Sequence, residues 1–254
     1  MEYFVDKDSI VRKIWGNSDT ILFIFAGAAA EFALNKAVDW LYFTGKLPSD
    51  PLGRLFSTVA YARAIVFAKN GDALRSIDTI AAIHMGVEKN RGFKIPDWAY
   101  RDVLFMLIDY SIRSYELLER KLSEDEKQEV FNVFYRVGCR MGLQSLPKDF
   151  REWEISRQEH LQKDMVHSVH TTDLFRQYRK HLGDFRYRIM LESQLLVVPD
   201  KVRYMFSMRR FSVLAPLIAI YKISKSMNLD SVIKSVLIPK KYKKEIKALN
   251  IIPT

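Results

Sequence analysis

Signals that start and stop α-helices recur about every twenty residues along this chain of 254 residues, and no run of alternating β-branched residues is bounded by turns. That punctuation predicts an all-α fold. Ser18 and Asp19 are placed to cap a long helix through Phe43, which Gly45 and Pro48 would end. Asp50-Pro51 starts a second helix, running to about Lys69, with a side-chain cap and a preset φ. Asn70-Gly71 then turns the chain, and Asp72 caps a third helix carrying Leu74, Ile77, Ile80, Ala81, His84 and Val87. Pro96-Asp97 opens a fourth through Arg120, and Ser123 to Glu126 forms a capping box for a fifth ending at Gly142. Pro147 and Asp149 begin another. Further helices are expected over 173–182, 184–196 and 213–226.

With 48% hydrophobic residues the chain can bury a sizeable core, and no proline- or serine-rich linker divides it. The formal charge of +10 is unevenly distributed. Residues 1–200 carry 28 basic and 28 acidic side chains, whereas residues 201–254 carry 12 basic ones against Asp230 and Glu245. We therefore expect a helical domain over 1–200 and a basic helical extension over 201–254, packed on or beside it. The run Arg209-Arg210, Lys222, Lys225 and Lys240-Lys241-x-Lys243-Lys244 reads either as a solvated helix face or as an attraction to anionic lipid. Phe211, Val213, Leu214, Leu217, Ile218 and Ile220 would supply the apolar face for the second reading. Nucleic acid is not an expected partner, because a basic groove interleaved with aromatic side chains is missing from the tail.

A single cysteine, Cys139, excludes an intramolecular disulfide, a thiolate-rich zinc site and an iron–sulfur cluster; its helical spacing between Tyr135 and Leu143 predicts a small core residue. No phosphate-cradling glycine loop, dinucleotide fingerprint or G-x-S-x-G elbow occurs. The N-terminal MEYFVDKDSIVRKIW has no basic region leading into an apolar run. The two most apolar stretches, Ile21 to Leu34 and Phe211 to Ile223, are too short to span a bilayer. The expectation is a cytoplasmic protein, with peripheral membrane contact open.

Two helical positions carry the candidate chemistry. In Asp50-Pro51-Leu52-Gly53-Arg54-Leu55-Phe56-Ser57-Thr58, Arg54 and Thr58 stand one turn apart, with Tyr61 and Ile65 continuing that face. Leu52, Leu55, Phe56, Val59 and Val66 lie on roughly the opposite side, so the helix is expected to be buried and Arg54 to need an anion. That anion is either a carboxylate of the chain or one belonging to a bound molecule. His84 shares the apolar face of the third helix with Ile77 and Ile80. Such a histidine is either a satisfied core residue or a metal ligand, and periodicity does not choose.

The order D-P-x-G-R-x-x-x-T, followed about one helix later by an isolated histidine, resembles the catalytic-domain family of MpaB-type oxygenases and rubber oxygenase (latex clearing protein). The likeness covers roughly residues 15–206. It includes Gly27 in a small-residue helix, Ile83-His84 before Val87, Asp109 with Tyr115, Met141-Gly142 leading to Leu146-Pro147, and Val198-Pro199 before Arg203.

The resemblance implies a globin-like helical core holding haem b, with His84 as the iron ligand and Arg54 and Thr58 in the pocket as cofactor-binding and catalytic residues. It further implies a small apolar substrate oxidised with molecular oxygen or peroxide. The alternative is a non-catalytic helical protein that binds haem or lipid and docks through its basic tail. Where rubber oxygenases have a lysine just before the threonine, this chain has Ser57; no second histidine occurs over Val103 to Asp109, and those enzymes' glutamate has no unambiguous counterpart, Glu31 and Asp39 both preceding the signature. Polyisoprene is therefore not the expected substrate.

A competing constellation is Asp164, His167, His170 and Asp173, at successive three-residue spacing. It is either a solvated polar face or a non-haem metal site. His160 and His181, set among charges, read as surface residues.

Overall fold

The computed structural model describes residues 2–45 and 49–225. Among these the chain forms eleven helices and no strand, apart from isolated bridges joining Tyr3 to Lys69 and Asn35 to Met165. In chain order they are α1 (Ile10–Gly16), α2 (Ser18–Leu34), α3 (Val38–Phe43), α4 (Pro51–Val66), α5 (Asn70–Arg91), α6 (Asp97–Leu118), α7 (Glu124–Arg140), α8 (Phe150–Lys163), α9 (Val169–Val197), α10 (Asp200–Met205) and α11 (Ala215–Lys225).

Helix α2 is apolar on nearly every side, as befits a helix enclosed by others. Its most extensive contacts are with α6 and α9. At its closest approach to α6 the sequence places Gly27, where any Cβ would overlap the ring of Tyr110. Around this axis the buried side chains of α1, α4, α6 and α7, with Trp15 and Phe131 among the largest, form one core cluster. A second cluster joins α2 and α9 to α3 and α4, and a third joins α2 to α8 and α10.

The helix boundaries sharpen the sequence reading. Asn17 caps α2, accepting hydrogen bonds from the Asp19 and Thr20 amides, so neither Ser18 nor Asp19 holds that position. The expected long helix to Phe43 breaks at Asn35, whose side-chain oxygen takes the Ala37 amide at 2.7 Å and turns the chain into α3. The ends of α2 and α8 meet there: the Lys36 amide donates to the Asp164 carbonyl and the Val166 amide to the Leu34 carbonyl. Helix α5 starts at Asn70, placing Asp72 inside its first turn, and stops at Gly92 in the left-handed region. Ser123 and Glu126 make the reciprocal capping box of α7, and Asp149 caps α8. Gly183, with φ +74°, divides α9 into the two lengths expected there.

Cys139 is exposed, not a core residue, because it falls on the outer side of α7 while Val137 and Gly138 turn inward. Helices α10 and α11 pack on the body, α10 against α2 and α8 and α11 against α6. Tyr221 of α11 donates a hydrogen bond to Asp19. The Lys240 to Lys244 run lies outside the described residues.

Candidate functional site

Helices α4 and α5 are joined by a short connection and pack against each other. Asp50 caps α4 by accepting from the Gly53 amide at 3.2 Å, with Pro51 in the first turn, and any Cβ at position 53 would strike the Asp50 carboxylate. This start fixes the phase of Arg54. Its Nη1 donates to Thr58 Oγ1 at 2.9 Å and to Ser57 Oγ at 3.2 Å, and both hydroxyls donate in turn to the Arg54 carbonyl. Ser57 is thereby tied to its own helix. The guanidinium is half-buried, its pKa lowered by burial, and it pairs with no carboxylate among the described residues.

His84 lies on the half-buried stretch of α5, near enough to Arg54 that the positive charge bears on it. Burial, and then Arg54, lower its pKa, while the Ile80 carbonyl and Glu88 oppose them less. A neutral imidazole follows. Its Nδ1 is buried without an aligned hydrogen bond, and its ring meets the Tyr100 ring edge-on at 5.1 Å. Tyr100 is itself fixed by donating to Glu88 at 3.1 Å. Around His84 the apolar side chains of α5 are incompletely covered, since Ile80 and Val87 are half-buried and Ile83 and Met85 are exposed. Thus Arg54 and Thr58 are bonded to each other and His84 is their electrostatic neighbour.

A second polar group fills the centre of the molecule. Arg157 of α8, only 2% exposed, grips Glu31 of α2 through both terminal nitrogens at 2.5 Å and meets Asp109 of α6 at 2.9 Å. Tyr110 donates to Glu31 at 2.8 Å, and Arg113 pairs with Asp109 at 2.6 Å. Burial alone would raise the Glu31 pKa, but Arg157 overrides it and holds the carboxyl at about 2.

His160, one turn further along α8, is 3% exposed and not a surface residue. Its Nδ1 lies 2.7 Å from Asp102 and 3.5 Å from Asp164; its Nε2 lies 3.4 Å from Glu31. Burial would lower its pKa, but Asp102 and Glu31 lift it to about 9, whereas burial raises that of Asp102. Two signals could have pointed to this network. Glu31 is a lone acid in the apolar run of α2, and Trp153, Arg157, His160 and Leu161 share one face of α8.

The constellation at Asp164, His167, His170 and Asp173 is not assembled. Helix α8 ends at Lys163 and α9 begins at Val169, so the four residues occupy a loop and the start of a new helix. His167 packs on Phe206, while Tyr42 stacks against His170 and donates to Asp173 at 3.0 Å. Asp164 turns the other way, toward His160. His181 is half-buried, and Asp39 pairs with Arg91 at 2.6 Å.

These features define an all-α domain with an arginine, a threonine and a neutral histidine gathered on one helical pair. The chain belongs to the family described as ER-bound oxygenase mpaB/B'/rubber oxygenase, catalytic domain, which it matches over residues 13–219. That is a family of oxygenase catalytic domains. No curated protein and no solved structure matches the chain.

Proposed function

We propose that this chain is a haem-b-dependent oxygenase acting on a small apolar organic substrate, with His84 as the protein ligand of the iron. The observation that carries this reading is the pairing of a neutral, half-buried histidine with an arginine that no carboxylate among the described residues neutralises. Both fit haem b: imidazole is a haem iron ligand, and the propionates are the anions that a desolvated guanidinium requires. Haem b supplies the oxidative chemistry on oxygen or peroxide when bound.

The chain's own residues do the rest. Burial, and then Arg54, keep His84 unprotonated, so its lone pair remains available for iron. The described hydrogen bonds of Arg54 all leave from Nη1, which leaves the N–H groups of Nε and Nη2 for an incoming anion. Thr58 fixes the rotamer of Arg54, and Ser57, bonded into α4, does not reach across as a lysine would. Ile80 and Val87, half-buried on the same helix, give the imidazole an apolar flank.

Full-length protein supplied with haem is expected to show a Soret band, and His84→Ala to lose most of its bound haem. An unchanged haem content in that variant removes His84 from the ligand position. Turnover of apolar substrates with oxygen or peroxide then separates an oxygenase from a non-catalytic haem carrier.

No single helix among the described residues is long and apolar enough to cross a membrane. We also propose peripheral contact with an anionic membrane. Phe211 is 78% exposed, Val213, Leu217 and Ile220 stand out beside it, and Arg210 and Lys222 are exposed close by. Replacing Phe211, Leu217 and Ile220 by serine is expected to weaken sedimentation with anionic vesicles, and equal binding by this variant would oppose the proposal.

A further inference from the structure

Three side chains that the oxygenase reading leaves unused converge where α6, α8 and the α2–α3 turn meet. His160 Nδ1, an Asp102 oxygen and an Asp164 oxygen all lie within 4.8 Å of one another. We propose that Asp102, His160 and Asp164 form a binding site for one divalent first-row cation of the zinc or manganese type.

The spacing is that of a coordination shell. Bonds of about 2.0–2.1 Å to a tetrahedral cation set neighbouring ligand atoms roughly 3.3 Å apart. The contacts from Nδ1, 2.7 Å to Asp102 and 3.5 Å to Asp164, bracket that value. One imidazole nitrogen with carboxylate oxygens is a borderline-to-hard donor set, suited to Zn2+ or Mn2+.

The histidine supplies an independent reason. It is 3% exposed, yet neither ring nitrogen makes an aligned hydrogen bond. Nδ1 is aimed between two carboxylates, while Nε2 faces Glu31 at 3.4 Å. A metal-bound histidine takes this posture, with one nitrogen on the ion and the other against a carboxylate that orients the ring. Glu31 is in turn held by Arg157 and Tyr110.

Charge balance agrees. Within the group of four carboxylates, Glu31 and Asp109 are answered by the two guanidiniums of Arg157 and Arg113, whereas Asp102 and Asp164 lie against His160. A divalent cation beside a neutral His160 makes the group electroneutral, whereas a protonated histidine alone leaves one negative charge over. Asp164, 25% exposed where the other two ligands are buried, gives a way in from solvent. Asn35 donates to Asp102 at 3.1 Å, and the Lys36 amide donates to the Asp164 carbonyl. A bound cation would therefore clasp the α2–α3 turn to α6 and α8.

The test uses full-length protein stripped with chelator and dialysed against low-micromolar Zn2+ or Mn2+, with metal per chain read by mass spectrometry. One ion per chain and a raised melting temperature are expected. Asp164→Ala should weaken binding at least tenfold and abolish the thermal shift, and His84→Ala should leave both unchanged. Asp164 is accessible enough that its variant keeps the fold, which circular dichroism checks; His160→Gln provides a second arm. Metal no higher than in the dialysis buffer, or equal binding by Asp164→Ala, overturns the proposal.

Discussion

Arg157 and Arg54 are both guanidiniums drawn out of water, but their surroundings answer them in opposite ways. Arg157 meets two carboxylates and spends Nε, Nη1 and Nη2 on them. Arg54 meets two hydroxyls of its own helix through one nitrogen, and the nearby titratable group is a histidine kept neutral by burial and, after that, by the arginine's charge. A buried ion pair with every guanidinium nitrogen bonded to a carboxylate is closed to ligands and acts within the fold. A desolvated cation bonded only to neutral hydroxyls keeps its charge for something else. The pair therefore distinguishes charge that holds the protein together from charge that holds a guest.

The largest effect that separates them is on stability. Arg157→Met leaves Glu31 buried without its guanidinium and Asp109 with Arg113 alone, and is expected to cost about 3–5 kcal/mol in urea unfolding at neutral pH. Arg54→Met should cost under about 1 kcal/mol in haem-free protein while lowering haem affinity. Equal losses from the two variants would erase the distinction.

Acid should act on the closed region next. The carboxyl of Glu31 titrates at about 2 in the folded protein, against 4.5 for an ordinary glutamate, with burial opposing the shift and Arg157 overcoming it. Its contribution is complete above about pH 4.5 and lost as pH falls toward about 2. Denaturation midpoints of the natural chain should drop through that window, and those of Glu31→Gln, already destabilised, should drop less. Gly27→Ala, which drives a methyl group into the Tyr110 ring beside the same network, is expected to cost about 1–3 kcal/mol by calorimetry. The smallest change is that of His84→Ala without haem, within about 1 kcal/mol, because the side chain is half-buried and its Nδ1 makes no aligned hydrogen bond. A larger loss would make His84 a structural core residue.

Sequence reading found what is written locally. Helix caps such as Asp50, Ser123 and Asp149 act within four residues, and helical periodicity gives the one-turn spacing of Arg54 and Thr58 and the face on which His84 lies, though not its role. The break after Leu34 was hidden because an all-apolar helix has no period to interrupt and because residues 164–166 help to hold the turn. The inner network was hidden for a related reason. In FREWEISRQEHLQK, Arg157 and His160 look like their solvated neighbours, and only the partners on α2 and α6 reveal that they face inward. The single cysteine misled because Tyr135 and Leu143, at helical spacing from it, marked the margin of the buried face and not its centre.

The Arg157–Glu31 ion pair closes a span of 126 residues. Its consequence reaches the order in which the chain acquires structure. Until α8 has been synthesised, α2 carries Glu31 without the cation that lets it be buried, so the growing chain cannot complete its core. A cut between Asp109 and Arg157 should leave Glu31 without its cation in one half and Arg157 without its carboxylates in the other, and neither half should persist alone as a folded unit.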